Sequence, residues 1–158
     1  MSKLDFTVVA HKEDTKLFGL SGQSNDKTQA KDIPALSKKY YEIAGKSRDE
    51  ILPFFVVSSD YDEKSKDFRL FVGGEVECSG LEPLIIRKGI YGKATVKPKM
   101  GFMWGLSIGE VKRAFYTKWL PQSEYMPLNM EYEYHTEKSK GKDPSIDIFF
   151  AINATSIE

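Results

Sequence analysis

The chain has 158 residues, the length of one domain that can bury a sizeable core. Hydrophobic residues make up 41% and charged residues 29%, which sets it apart from disordered polymers. The 23 Lys and Arg are balanced by 23 Asp and Glu, so it lacks the cationic surplus with which dedicated nucleic-acid binders meet phosphates.

Cys78 is the single cysteine, which excludes an intramolecular disulfide and fits a reducing compartment. No His or cationic neighbour in sequence activates it, so it reads as passive. His11 and His135 lie far apart without metal-ligand spacing, and no nucleotide or cofactor fingerprint is present. Neither a metal nor a cofactor is expected. Residues Met1–Phe6 lack the apolar run of a signal peptide, and no segment has the length and apolarity of a bilayer span. The expected location is the cytoplasm, with no membrane partner.

Thr7 to His11 reads as a strand, with Leu17 to Leu20 as its continuation or partner. Ser21 to Lys31 reads as loop. Asp32 is placed to cap a helix, with Pro34 in its first turn, Ile33, Leu36, Tyr40 and Ile43 on one face, and Gly45 as its stop. Two strands follow, Phe54 to Ser58 and Phe68 to Val76, joined by a charged hairpin. In the second, Phe68, Leu70 and Val72 share one face, and Arg69, Phe71 and Gly73 the other.

The second half opens with a long strand from Leu84 to Lys97, with a bend at Gly89 or Gly92. Gly101, Gly105 and Gly109 match no phosphate-binding loop and read as a flexible lead-in to a helix. Ser107 and Glu110 match a capping box in front of that helix, which carries Ile108, Val111, Phe115 and Trp119 at helical spacing and ends at Pro121. Strands from Leu128 to His135 and from Ile146 to Ile152 complete the chain. Both halves thus run strand, helix, strand, strand, and Glu-Lys-Ser-Lys recurs at 63–66 and 137–140, each time in a hairpin loop. The expectation is one α+β domain over 1–158, with pseudo-repeat halves of about 1–80 and 81–158. The duplicated units would form curved antiparallel sheets with helices on one side. The other side would leave a ligand groove between the halves.

The residues that bear on chemistry lie in Met130-Glu131-Tyr132-Glu133-Tyr134-His135. Alternation puts Glu131, Glu133 and His135 on one face and Met130, Tyr132 and Tyr134 on the other. One reading leaves the acids in water. The other places one acid in a groove among aromatic rings, where a carboxylate and π-faces would select amphipathic organic cations. Candidate walls are Trp104, Trp119, Tyr91 and Phe71. Nucleophile elbows, Ser-His-Asp orders and P-loops are absent from the sequence, so no catalytic residue is assigned.

Three segments carry a family resemblance. Residues 83–94 resemble a strand with a Gly-x-Tyr pattern (Gly89-Ile90-Tyr91), residues 114–125 resemble a helix end that reads Trp-Leu-Pro-x-Ser-x-Tyr, and residues 71–76 resemble the strand closing a first half. Together they resemble the gyrase-inhibitor-like, or AraC-type effector-binding, domains, including the single-domain versions among integron cassette proteins. The resemblance implies the duplicated fold, a groove between the halves, and a pocket acid within aromatic-Glu-x-Tyr. Tyr132-Glu133-Tyr134-His135 matches that pattern with His135 in place of Tyr, and Glu131 offers a competing alignment. It further implies a stand-alone small-molecule effector sensor without direct contact to nucleic acid, working alone, through a protein partner, or as a homodimer. A hydrolase acting on strained electrophilic compounds is the alternative, and a protein-binding gyrase-inhibitor-like module the third.

Overall fold

β-Branched and aromatic residues recurring at period two, punctuated by charged turns, give eight strands among the described residues; two amphipathic stretches give the α-helices. The computed structural model describes residues 5–47, 50–100 and 103–154. In chain order the elements are Thr7–His11 (β1), Thr15–Asn25 (β2), Gln29–Ala44 (α1), Phe54–Ser59 (β3), Asp67–Gly74 (β4), Glu82–Ile86 (β5), Gly89–Val96 (β6), Trp104–Ala114 (α2), Tyr125–His135 (β7) and Ile146–Ala154 (β8).

All eight strands join one antiparallel sheet in the order β1-β6-β8-β7-β3-β4-β2-β5. The order strand, helix, strand, strand occurs twice: β2-β4-β3 in the first half mirrors β6-β8-β7 in the second, and the halves meet where β3 pairs with β7. The strand ahead of each half crosses over. β1 pairs with β6, and β5 pairs with β2.

This exchange forces the sheet to curve. Six strand spacings of about 4.8 Å would put β1 and β2 roughly 29 Å apart in a flat sheet. The link from His11 to Thr15 reaches only about 14 Å when extended. The same holds for β5 and β6, joined through Arg87 and Lys88. The sheet therefore rolls until its two ends meet, and the Lys88 backbone N–H donates to Asp14 Oδ1 at 2.7 Å, tying one link to the other. Leu17, Phe55, Phe71, Ile86, Tyr91, Tyr132 and Phe149 fill the inside of the roll. His11 stacks on Tyr91 with ring centres 4.2 Å apart and shares a 2.6 Å hydrogen bond with the Tyr132 hydroxyl.

Both helices cover the other face. α1 sets Ile33, Leu36, Tyr40, Tyr41 and Ala44 over Phe54, Val56, Phe68, Leu70 and Val72, and Gly45 ends it in the left-handed region at φ 68°. α2 and the π-helical turn Phe115–Trp119 that continues it pack Ile108, Val111, Phe115 and Trp119 against Ala94, Val96, Ile148, Phe150 and Ile152.

Several expectations are corrected. β1 and β2 do not pair, and the segment read as loop over 21–31 belongs mostly to β2 and α1. Thr28, not Asp32, precedes α1; Asp32 instead accepts hydrogen bonds from Thr28 Oγ1 and Ser24 Oγ at 2.7 and 2.8 Å. Ile43 is exposed. The long strand is two, because Arg87 and Lys88 carry the chain across the roll. Ser107 and Glu110 lie inside α2, where Ser107 Oγ accepts from the Lys99 backbone N–H at 2.9 Å and Glu110 pairs with Lys99 Nζ at 2.5 Å. They fasten the incoming segment instead of capping a terminus. Gly105 and Gly109 are helical; Gly101 lies outside the described residues.

Two facing glycines allow the strands of the first half to approach. Gly19 and Gly73 are register partners on β2 and β4. A Cβ on Gly73 would lie 2.3 Å from the Phe18 carbonyl oxygen, and one on Gly19 1.9 Å from that of Val72. Backbone atoms cannot step aside as a side-chain tip can. Gly73→Ala is expected to cost roughly 2–4 kcal/mol, read as a lower urea midpoint, whereas Gly22→Ala, with open space around it, is expected to stay within about 1 kcal/mol.

Candidate functional site

The strand β7 has both halves as neighbours: β8 of its own half on one side and β3 of the other half on the other. Its helix-facing side chains therefore fall at the seam between α1 and α2. Tyr132 and Tyr134 join the inside of the roll. Glu131, Glu133 and His135 take the helix side, next to Ser58, Val56 and Phe54 of β3.

Glu133 is only 7% exposed, and side chains of β7 and α2 meet its two oxygens. His135 Nε2 lies 3.0 Å from its Oε1. An ionised carboxylate only accepts, so that ring nitrogen donates. From α2, Lys112 Nζ sits 2.6 Å from Glu131 Oε2 and 3.8 Å from Glu133 Oε2. One helical turn further on, the Tyr116 hydroxyl donates to Glu131 Oε1 at 2.8 Å. Glu131 thus has a partner on each oxygen, Lys112 and Tyr116, while Glu133 keeps one oxygen beyond hydrogen-bond distance of the lysine.

The electrostatics follow. Burial alone would raise the Glu133 carboxyl, but the His135 hydrogen bond and the Lys112 charge outweigh it and hold the group below its ordinary value. Burial would likewise lower Lys112; the two carboxylates overcome it, and the ammonium stays charged. Burial, then the Glu131 charge, pushes the Tyr116 hydroxyl up, so it remains a donor.

Beside Glu133 and His135 a groove of about 790 Å³ opens under α1, a volume within the range of small-molecule sites. Ile33, Pro34 and Tyr41 of α1 form its roof and wall, Leu52, Phe54 and Val56 the rest of its apolar lining, and exposed Lys38, Glu42 and Lys46 its edge. Helix α1 leans over β2 and β4, which leaves the β3–β7 junction open beneath its flank.

The six residues predicted from sequence do not converge. Glu133 lines the groove, and Glu131 stands next to it on the same face, engaged with α2. The groove lies on the helix side of the sheet, not the opposite side as expected, because the opposite side is the packed interior of the roll. Tyr91 and Phe71 belong to that interior and cannot wall the groove. Trp104 and Trp119 pack on the α2 core, Trp119 stacked between Phe115 and Tyr125. Sequence reading passed over Tyr41, Phe54, Lys112 and Tyr116. For Lys112 a signal existed: it follows Ile108 by four residues, a charge set beside the apolar stripe of an inward-facing helix.

Among the described residues no group of His, Cys, Asp or Glu could hold a metal ion, and no helix is long and apolar enough to cross a membrane. No protein-family model and no curated protein matches the sequence. Solved structures do. An integron cassette protein of Vibrio cholerae superposes with a TM-score of 0.67 at 12% identity, over 94% of this chain and 95% of that one. SAV2435 bound to tetraphenylphosphonium gives 0.65 at 9% identity, covering 94% of each chain. The fold is the gyrase-inhibitor-like fold. The C-terminal domain of EcmrR shares it, with a TM-score of 0.57 at 10% identity over 96% of this chain and 98% of that domain. Within this gyrase-inhibitor-like frame, the seam is where the chain concentrates its buried charge.

The depressed Glu133 carboxyl has a consequence for stability. Its folded value lies below the ordinary 4.5, so its contribution is complete above that pH and is lost as pH falls through the folded value. Urea midpoints measured between pH 6 and 3 should show a steeper acid decline for the wild type than for Glu133→Gln, which has no proton to take up there.

Proposed function

We propose that the groove beneath α1 binds an amphipathic organic molecule, with Glu133 as its polar anchor and Tyr41 and Phe54 as its aromatic wall. The observation that carries this reading is a buried carboxylate lining a cleft of ligand size beside the apolar side chains Ile33, Leu52, Phe54 and Val56. A ligand there exchanges water for apolar surface, and its positive end finds a carboxylate flanked by ring faces, each worth roughly 0.5–2 kcal/mol to a cation. The shared fold supports a role in effector binding, and the tetraphenylphosphonium in SAV2435 makes a diffuse organic cation the first ligand class to try. Sensing or sequestering such a molecule is the activity that the groove serves.

The test is calorimetric titration with tetraphenylphosphonium and with triphenylphosphine oxide, a neutral molecule of similar shape. Glu133→Gln should weaken the cation by at least about tenfold, or ~1.4 kcal/mol, and leave the neutral molecule nearly unchanged. Ile33→Trp, which fills the cleft, should abolish both. Equal losses in Glu133→Gln would remove the anchor role; a wild type that binds neither probe would remove the reading.

One observation favours a second reading, hydrolysis of electrophilic compounds. The Glu133–His135 pair is an imidazole oriented by a buried carboxylate, the arrangement of a general base with its orienting acid. Strained-ring electrophiles incubated with the protein and analysed by mass spectrometry separate the two. Product that disappears in His135→Ala supports turnover, and ligand recovered intact supports binding alone.

A further inference from the structure

The cluster holds a cation of its own, and its position bears on which ligands the groove takes. Lys112 Nζ is 2.6 Å from Glu131 and 3.8 Å from Glu133, and its side chain is 23% exposed against 13% and 10% for the two acids. Lys38 and Lys46 at the groove edge are exposed, where water and salt screen them. Lys112 is not screened in that way. A cation that reaches Glu133 Oε2 would stand within a few ångströms of a half-buried ammonium.

Glu131 settles where that ammonium stays. With Lys112 on one oxygen and the Tyr116 hydroxyl on the other at 2.8 Å, Glu131 draws the lysine toward α2 and away from Glu133. Two acids then face one lysine, and the surplus negative charge falls on Glu133.

We infer that Lys112 and Glu131 form a charge-selectivity device: Lys112 repels and competes with a cationic ligand at Glu133, and Glu131 limits that competition by holding the lysine back. The inference rests on the groove reading above and deepens it. It makes the natural ligand a monocation with diffuse charge, able to share Glu133 with a fixed ammonium nearby. Compact dications are disfavoured, since each added positive charge meets the Lys112 ammonium as well as Glu133.

The device makes two substitutions act in opposite directions. Lys112→Gln alone would leave two facing carboxylates, one of which would take up a proton. The informative change is therefore the pair Lys112→Gln with Glu131→Gln, which removes one charge of each sign and leaves Glu133 alone. Tetraphenylphosphonium should bind this double variant at least about threefold tighter than the wild type: the repelling ammonium 3.8 Å from Glu133 is gone, and the attraction lost with Glu131 offsets only part of that gain. Glu131→Gln by itself frees Lys112 to turn to Glu133, and should weaken the same probe. Triphenylphosphine oxide should bind all three proteins alike, which also reports that the groove is intact. Misfolding would weaken both probes in both variants and cannot produce opposite signs. Unchanged or weaker cation binding in the double variant, or a parallel gain for the neutral probe, would overturn the selectivity role while leaving the groove reading standing. A wild type that binds neither probe would remove both.

Discussion

The pairing of β3 with β7 fixes which side of the molecule receives the charged residues. Both faces of β7 are buried at this junction, one by the interior of the roll and one by the helices. A slip of one residue would turn Glu131, Glu133 and His135 into the aromatic interior now filled by Tyr132, Phe149 and Phe55, and turn Tyr132 and Tyr134 out. There the carboxylates would meet rings instead of Lys112, Tyr116 and His135. Burying a carboxylate without partners costs several kcal/mol, so the register is specified from both sides at once, and the strand has one place to lie.

That specification explains why an ion cluster is tolerated at the centre of a small domain. Replaced by apolar residues of equal size, such a cluster would often be as stable or more so. Its value for stability is thus not the reason to look to it for function. The asymmetry within it is more informative. Glu131 is consumed by contacts that fasten α2 to the sheet, while Glu133 faces the cleft with only His135 at hydrogen-bond distance among its ion-pair partners. Two acids two residues apart on one strand divide into a helix-fastening and a groove-lining member because α2 hydrogen-bonds one and meets the other only at ion-pair distance.

Much of the architecture is legible in the sequence, because strand alternation and helical spacing are local signals. The strands at Phe54, Phe68, Leu128 and Ile146, the helix closed by Gly45, and the inward stripe Ile108, Val111, Phe115 and Trp119 all follow from them. The resemblance also pointed to the fold. What sequence cannot phase is one strand against another. Tyr91 and Phe71 each lie on a definite face of their own strands, but whether that face meets Glu133 depends on the strand order and the roll. These come from the crossing of β1 and β5, contacts between residues far apart in the chain. Ser107 and Glu110 mislead for a related reason: the spacing of a capping box is also the spacing of two neighbours on a helix face, and here they hold Lys99 instead of a terminus. Tyr41 was hidden by Tyr40, whose ring occupies the buried face while Tyr41 turns one step toward the cleft.

The two lobes also answer why a duplicated fold carries its cleft on one side. Over the second half, Phe115 stacks on Phe150 with ring centres 4.0 Å apart, and Trp119, Tyr116 and Phe6 close around them. Gly92 permits this, since a Cβ there would sit 2.7 Å from the Phe115 ring. The space between helix and sheet is filled with aromatic rings. Over the first half, α1 carries Ile33, Leu36 and two tyrosines, and leans toward β2 and β4. A groove remains between its flank and β3, where the acid of β7 adjoins it. One copy of the repeat has packed its helix down and supplies Lys112 from it; the other has left its helix raised over a cavity. The proposed binding site draws on both, a tightly packed lobe that supplies the charge and a less filled one that leaves the space.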